Sequence, residues 1–161
     1  MFGGKVFIEE KYPNLIFAKN GELYNMDNKK VLVIGGAYSV DKNYRIIYGY
    51  PWFKDEQLSK EEMDNILNKY KGQYIDIVLS HTCPLKYEPT EVFMKGIDQS
   101  NVDKSMEKFL DKVEQSINYG KWYCGHYHTE KQIDKLEFIF GRIKVFIKMN
   151  FILNMIEMVM K

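Results

Sequence analysis

Two short apolar runs constrain the fold of this chain more than any other feature. Residues 30–34 have the sequence KVLVI, and residues 74–80 have the sequence YIDIVLS. An apolar run of this length, bounded by turn residues, is typical of a strand buried on both faces. Residues 121–124 form a third candidate strand. Because helical patterns separate these strands, the sequence predicts an α/β fold.

The first third of the chain predicts short strands joined by turns. Residues 5–8 and 14–17 are candidate strands, and Asn20-Gly21 is a hairpin signal before a strand at 22–26. Asp27-Asn28 predicts a second turn, which leads into the apolar run at 30–34. Residues 37–56 are rich in Tyr, Gly, Pro and Trp and are predicted to form a loop.

Two amphipathic helices are predicted between the buried strands. Ser59 and Glu62 have the spacing of a capping box, and Gly72 is expected to stop the helix that follows. The second helix is predicted over residues 102–118, with apolar residues recurring at helical spacing. These residues are Met106, Phe109, Leu110, Val113 and Ile117. Lysines at 104, 108 and 112 predict a solvated helix face and not a nucleic-acid stripe.

Charge and cysteine content narrow the possible partners and the compartment. The formal net charge of +1 over 161 residues gives no basic field for nucleic acid or a membrane surface. Cys83 and Cys124 are isolated, so we expect buried free thiols in a reducing cytoplasm. The N-terminus has no signal-peptide pattern. The apolar tail at 141–161 is too short and too interrupted by polar residues to predict a membrane span.

The three histidines of the chain are its main functional signal. His81 directly follows one buried strand, and His126 and His128 follow another. Loops at the ends of buried strands are where α/β folds place their ligand sites. Residues two apart in an extended segment point to the same side, so His126 and His128 are expected to face one cavity. Imidazole is a common ligand of zinc, iron and manganese, so the pattern predicts a metal site.

These motifs resemble those of the calcineurin-like metallophosphoesterases, in a bacterial and phage branch of that family. Residues 80–84 (SHTCP) and 125–128 (GHYH) are similar to the last two signature motifs of the family. The block at 35–41 (GGAYSVD), with Arg45 downstream and Trp52-Phe53 before the capped helix, is similar to that branch. The resemblance covers residues 1–140.

The resemblance implies a fold and a metal centre. The family's fold is a four-layer α/β/β/α sandwich, in which two facing sheets are flanked by helices, and this chain would hold part of it. His81 and His126 would bind one divalent ion and His128 a second, with Mn, Fe or Zn as the metals. The substrate would be a phosphomonoester or phosphodiester. Two such ions clamp a phosphate and activate a water molecule.

Three earlier motifs of the family do not occur in this sequence: Asp-x-His, Gly-Asp-x-x and Gly-Asn-His-Asp/Glu. They supply a bridging aspartate, further ligands and the general-acid histidine. We therefore expect residues 1–140 to be the C-terminal part of a metallophosphoesterase domain, with its N-terminal half missing, and 141–161 to be a divergent tail. Alone, the chain should bind metal weakly, and a second chain could supply the other half. A non-catalytic scaffold and a remnant without function are the alternatives.

Several residues near these motifs have two possible roles. Arg45 can contact a phosphate oxygen through its guanidinium fork or be a solvated surface charge. Asp41 can orient its loop or a histidine. Tyr48, Trp52 and Phe53 can line a substrate rim, but their apolar area favours core packing.

Overall fold

The protein is a mixed α/β fold in a computed structural model that describes residues 2–96 and 98–145. In these residues the strands are β1 (Val6–Glu9), β2 (Tyr12–Ala18), β3 (Glu22–Met26), β4 (Lys29–Ile34), β5 (Tyr74–Ser80), β6 (Asn118–Cys124), β7 (Lys131–Ile133) and β8 (Leu136–Phe138). The helices are α1 (Lys42–Tyr48), α2 (Lys60–Tyr70) and α3 (Ser105–Ser116).

Six strands form one mixed sheet in the order β3-β4-β5-β6-β8-β7. Strands β4, β5, β6 and β8 run parallel, while β3 and β7 pair antiparallel with their neighbours at the two edges. The apolar runs predicted as buried strands are β4 and β5, in the centre of this sheet. Their last four residues are all buried, as expected for strands covered on both faces.

Helices α2 and α3 cover one face of the sheet, because each lies in the crossover between two parallel strands. Their apolar residues join Leu32, Ile34, Val78 and Trp122 in one core cluster. The predicted capping box is confirmed: the Ser59 side chain accepts from the Glu62 N–H, and the Glu62 carboxylate accepts from the Ser59 N–H. These contacts fix where α2 begins.

Two predictions about the first third of the chain are wrong. Asn20-Gly21 does not close a β2–β3 hairpin, because β2 pairs with β1 in a separate two-stranded sheet and β3 pairs with β4. The predicted loop at 37–56 contains helix α1, which has no buried residue and therefore no amphipathic pattern that predicts it. The second turn is confirmed, since Asp27 and Asn28 have φ values of 52° and 61° between β3 and β4.

The other face of the sheet has its own buried cluster, which includes Tyr24, Val33, Leu79 and Tyr123. The base of the β1–β2 hairpin packs against this cluster through Val6 and Ala18. The described residues thus contain one six-stranded and one two-stranded sheet. The four-layer sandwich stays a prediction.

The predicted tail begins at residue 141, and residues 146–161 of it lie outside the described residues. No helix in the described ranges is both long enough and apolar enough to cross a membrane. Cys83 and Cys124 are buried and free, as predicted. Burial raises the pKa of the Cys83 thiol to about 12, so this thiol is not an activated nucleophile.

Candidate metal centre

His81 and His126 lie at the edge of the sheet where the parallel strands end. Because β4, β5 and β6 are adjacent and parallel, their carboxyl ends share one edge. The His81 N–H donates to the Ile34 carbonyl at 3.2 Å, and the His81 carbonyl accepts from the Gly125 N–H at 3.0 Å. These bonds extend both ladders past the strand ends. They place the backbone of His81 directly beside the residue that precedes His126.

The rings of His81 and His126 meet edge to face. Nε2 of His81 is 3.1 Å from Nδ1 of His126, and the ring planes are inclined at 63°. A neutral imidazole pair at this distance can share an N–H···N hydrogen bond. Two nitrogens that both bind one zinc ion at about 2.0–2.1 Å are also about 2.9–3.3 Å apart, at octahedral or tetrahedral angles. The pair therefore has the separation of two ligands of one ion.

A tight backbone turn sets the position of His126. Its φ is 66°, and the Tyr127 N–H donates to the Gly125 carbonyl at 2.8 Å across it. A three-residue turn with positive φ at its centre is rare and strained. Positive φ at a non-glycine residue costs on the order of 1–3 kcal/mol and is concentrated at functional sites. The turn thus holds the imidazole in a position that an extended strand would not give it.

His128 does not follow the geometry expected from its spacing. The segment is not extended, because His126 and His128 both have positive φ, so the premise that residues two apart share a side is wrong here. His128 is exposed, and its ring stacks on Phe140 with centroids 4.9 Å apart. The structure therefore pairs His81 with His126 and leaves His128 outside that contact.

Burial, as the largest cause, and the neighbouring His81, His128 and Lys104 together lower the pKa of His126 to about 4. The imidazole is therefore neutral at physiological pH, the form that binds a metal. The unfolded chain, with a histidine pKa near 6.5, binds more protons than the folded protein in the window from about pH 6.5 to pH 4. Folding stability must then fall as the pH falls through this window.

We expect His126→Asn to reduce this acid sensitivity. Between about pH 7 and pH 4.5 the variant should lose on the order of 1–2 kcal/mol less unfolding free energy than the wild type. Urea unfolding followed by circular dichroism at both pH values measures the difference. Asparagine tolerates positive φ, and His128→Asn controls for the substitution on left-handed backbone. If His126→Asn and the wild type lost the same unfolding free energy between these pH values, His126 would not be the source of the acid sensitivity.

Arg45 and Asp41 bind each other on the surface of α1. The Arg45 Nε donates to the Asp41 carboxylate at 2.7 Å, and Nη1 donates to the Pro51 carbonyl at 3.3 Å. Of the two roles predicted for Asp41, this contact with Arg45 of α1 fits the orientation of its own segment. The Arg45 side chain is 40% exposed, so its guanidinium keeps contact with solvent.

The prediction that Tyr48, Trp52 and Phe53 pack in the core is wrong for two of the three. Tyr48 is 66% exposed and Phe53 is 63% exposed. Trp52 is half-buried, with the Lys42 ammonium 4.3 Å from its ring centroid. Exposed aromatic side chains of this kind fit the other role given for these residues, which is to line a substrate rim.

A buried polar network next to the histidines was missed by the sequence analysis. Thr82, which follows His81, donates from Oγ1 to Glu107 at 2.8 Å and lies 3.3 Å from the Tyr127 hydroxyl. Tyr127 in turn contacts Glu88, which forms an ion pair with Lys104. Lys104 is thus not part of a fully solvated lysine face.

Glu107 is the most unusual member of this network. It is 3% exposed, and within the described part of the chain its Oε2 has no hydrogen-bond partner. Burial raises its pKa, opposed by the hydrogen bond from Thr82. Glu107 lies three residues before Leu110, on the apolar stripe of α3. This spacing was the sequence signal that could have predicted its burial.

Comparison of the chain with protein-family models, with curated proteins and with solved structures gives no match. Within residues 2–96 and 98–145, no three His, Cys, Asp or Glu side chains converge closely enough to hold a metal ion. The candidate centre therefore consists of the His81–His126 pair, with His128 nearby.

Proposed function

We propose that this chain supplies histidine ligands to the metal centre of a phosphoester hydrolase. The observation that supports this most strongly is the 3.1 Å separation of the His81 and His126 ring nitrogens at the carboxyl ends of the parallel strands. In the proposal these two residues hold one divalent ion, Mn, Fe or Zn, and His128 holds a second. Bound ions of this kind polarise phosphoryl oxygens and lower the pKa of a bound water.

The residues of this chain have separate roles in the proposal. His81 and His126 hold the ion as neutral imidazoles, and the left-handed turn at His126 orients its ring. Arg45, partly exposed on α1, donates to an oxygen of the phosphoester substrate. The bridging carboxylate and the general acid come from a second chain that carries the three missing motifs.

The proposal includes the four-layer sandwich as the architecture of the complete domain. A complete four-layer α/β/β/α sandwich needs a second sheet that faces the first. The second buried cluster, which includes Val31, Val33, Ile77 and Leu79, lies on the face of the main sheet that α2 and α3 do not cover. Packing of apolar side chains from a second sheet on this face would extend the cluster.

A non-catalytic scaffold is the second candidate, and two observations favour it. The described residues lack a third converging ligand, and His128 stacks on Phe140 instead of meeting the histidine pair. A scaffold of the same fold needs no bridging carboxylate. It should keep its structure without metal and show no hydrolysis with it.

Titration of the purified chain with Zn²⁺ and Mn²⁺ by calorimetry tests the metal centre. We expect His81→Ala and His126→Ala each to weaken binding by at least about 10-fold, since even the loss of an outer-shell partner costs about 10–100-fold. Lys121→Ala, an exposed change on β6, is the matched control and should bind as the wild type does. Unchanged affinity in both histidine variants would reject the centre.

Hydrolysis separates the enzyme from the scaffold. Bis-p-nitrophenyl phosphate and p-nitrophenyl phosphate, tested with Mn²⁺, report diesterase and monoesterase activity. We expect turnover only when a chain with the Asp-x-His, Gly-Asp and Gly-Asn-His motifs is added, and loss of turnover in His126→Ala. Metal binding without turnover in that mixture would favour the scaffold.

A further inference from the structure

The β1–β2 hairpin exposes an unusual amount of apolar surface. Phe7 is 59% exposed, Ile8 55% and Phe17 41%, although all three lie within paired strands. Val6 and Ala18 are half-buried, lie on the opposite face of the hairpin from Phe7 and Phe17, and pack against the main sheet. Ile8 and Ile16 pair with each other on that same face. One face of the hairpin thus carries a row of uncovered aromatic side chains.

The hairpin is also poorly supported by the rest of the protein. In the described part of the chain, the backbone of residues 6–17 makes no hydrogen bond outside the ladder between β1 and β2. An isolated two-stranded sheet is marginally stable in water, and an open strand edge pairs readily with another strand. Of the two edges, β2 contains Pro13, which has no N–H to donate, whereas β1 contains no proline. The register of β1 against β2 is regular from Val6 to Ile8 and shifts between Ile8 and Glu9.

The sequence of β1 is complementary to itself when two copies run antiparallel. Residues 5–9 read KVFIE, so a two-fold axis at Phe7 places Lys5 opposite Glu9 of the second copy, and Glu9 opposite Lys5. Both side chains are exposed, and neither forms an ion pair within the described residues. Opposite charges directly across a strand pair stabilise it, and like charges destabilise it.

We propose that two copies of this chain associate through β1, with the strands antiparallel and Phe7 on the two-fold axis. The two hairpins then form one four-stranded sheet. Because Phe7 pairs with Phe17 within each hairpin, the exposed face of that sheet carries four phenylalanines in one row. This association uses no residue of the histidine pair, so it stands or fails independently of the proposed hydrolase.

Charge exchange tests both the surface and the register. In Lys5→Glu every Glu9 faces a glutamate, and in Glu9→Lys every Lys5 faces a lysine. We expect each variant to raise the dimer dissociation constant by about 10-fold or more, measured by analytical ultracentrifugation at low salt. An equimolar mixture of the two variants pairs opposite charges at both ends, and so does the double variant Lys5→Glu/Glu9→Lys. Both should regain the affinity of the wild type.

Cross-linking provides a second measurement that does not depend on charge. Phe7→Cys places two thiols across the axis and should give a disulfide-linked dimer on mild oxidation. Phe17→Cys is the control, because its two copies would lie three strand spacings apart, about 14 Å, and should not cross-link. Circular dichroism verifies that each variant is folded. A wild type that is monomeric at all concentrations, or a dimer that is insensitive to the charge variants, would overturn the proposal.

Discussion

Trp122→Ala is expected to cost about 3–5 kcal/mol of unfolding free energy, a large share of the 5–15 kcal/mol of a typical domain. The Trp122 side chain is fully buried in the cluster between the sheet and the two covering helices. It meets Tyr119 edge to face at 5.4 Å. Its Nε1 donates to Ser80 Oγ at 2.7 Å, so alanine removes a large apolar volume and a buried hydrogen bond together. Urea unfolding followed by circular dichroism measures the loss.

Trp122→Phe separates the two contributions. Phenylalanine keeps most of the apolar volume but cannot donate to Ser80, so the expected loss is about half that of the alanine variant. Ser80 Oγ also donates to the Thr82 carbonyl at 2.6 Å, on the far side of His81. A loss below about 1 kcal/mol in Trp122→Ala would show that this part of the core is packed differently.

Gly36→Ala is expected to destabilise the protein by at least about 2–3 kcal/mol, which lowers the melting temperature of a chain of this size by about 5–10 °C. Gly36 has a φ of 101°, which L-residues rarely adopt. A Cβ at this position would lie 2.7 Å from the Glu56 carbonyl oxygen, which accepts from the Ala37 N–H. The side chain would therefore press on backbone that cannot move without breaking this contact.

Gly49→Ala is the matched control for that experiment. Gly49 ends α1 with a φ of 72°, but a Cβ there would meet no atom within 4 Å. We expect a loss of only about 1 kcal/mol, from the left-handed backbone alone. If both variants lost the same amount in differential scanning calorimetry, close approach at Gly36 would not explain its requirement for glycine.

The parts of the fold that the sequence predicted are those with strong local signals. The apolar runs at 30–34 and 74–80 correspond to β4 and β5, and the Ser59–Glu62 spacing corresponds to a capping box that begins α2. The unpredicted elements lack such signals. Helix α1 buries no residue, and β7 and β8 have three residues each, too few for a period to emerge.

The hairpin error has a different physical origin. Asn20-Gly21 has the composition of a tight hairpin turn, but the Asn20 side chain accepts from the Gly35 N–H, and the Gly21 N–H donates to the Val33 carbonyl. Tertiary hydrogen bonds thus use the same residues to join β3 to β4. Local turn chemistry could not distinguish these two uses.

The candidate site was predictable in its position and not in its details. Strand ends placed His81 and His126 at one edge, and the structure brings their ring nitrogens together. His128 stacks on Phe140 in an exposed position, and its backbone has a positive φ. A histidine in a sequence does not predict positive φ, so this position could not be predicted. The contact between Thr82 and Glu107 joins residues 25 positions apart and depends on how α3 packs.

The turn at His126 has a consequence for the energetics of any ligand that its imidazole binds. A histidine on a free loop loses rotational and backbone freedom when it captures a ligand, which weakens binding. Here the Gly125 and Tyr127 contacts fix the backbone on both sides of His126 when the chain folds. The entropy of ordering this residue is therefore lost during folding, and capture of a ligand proceeds on a side chain that is already preorganised.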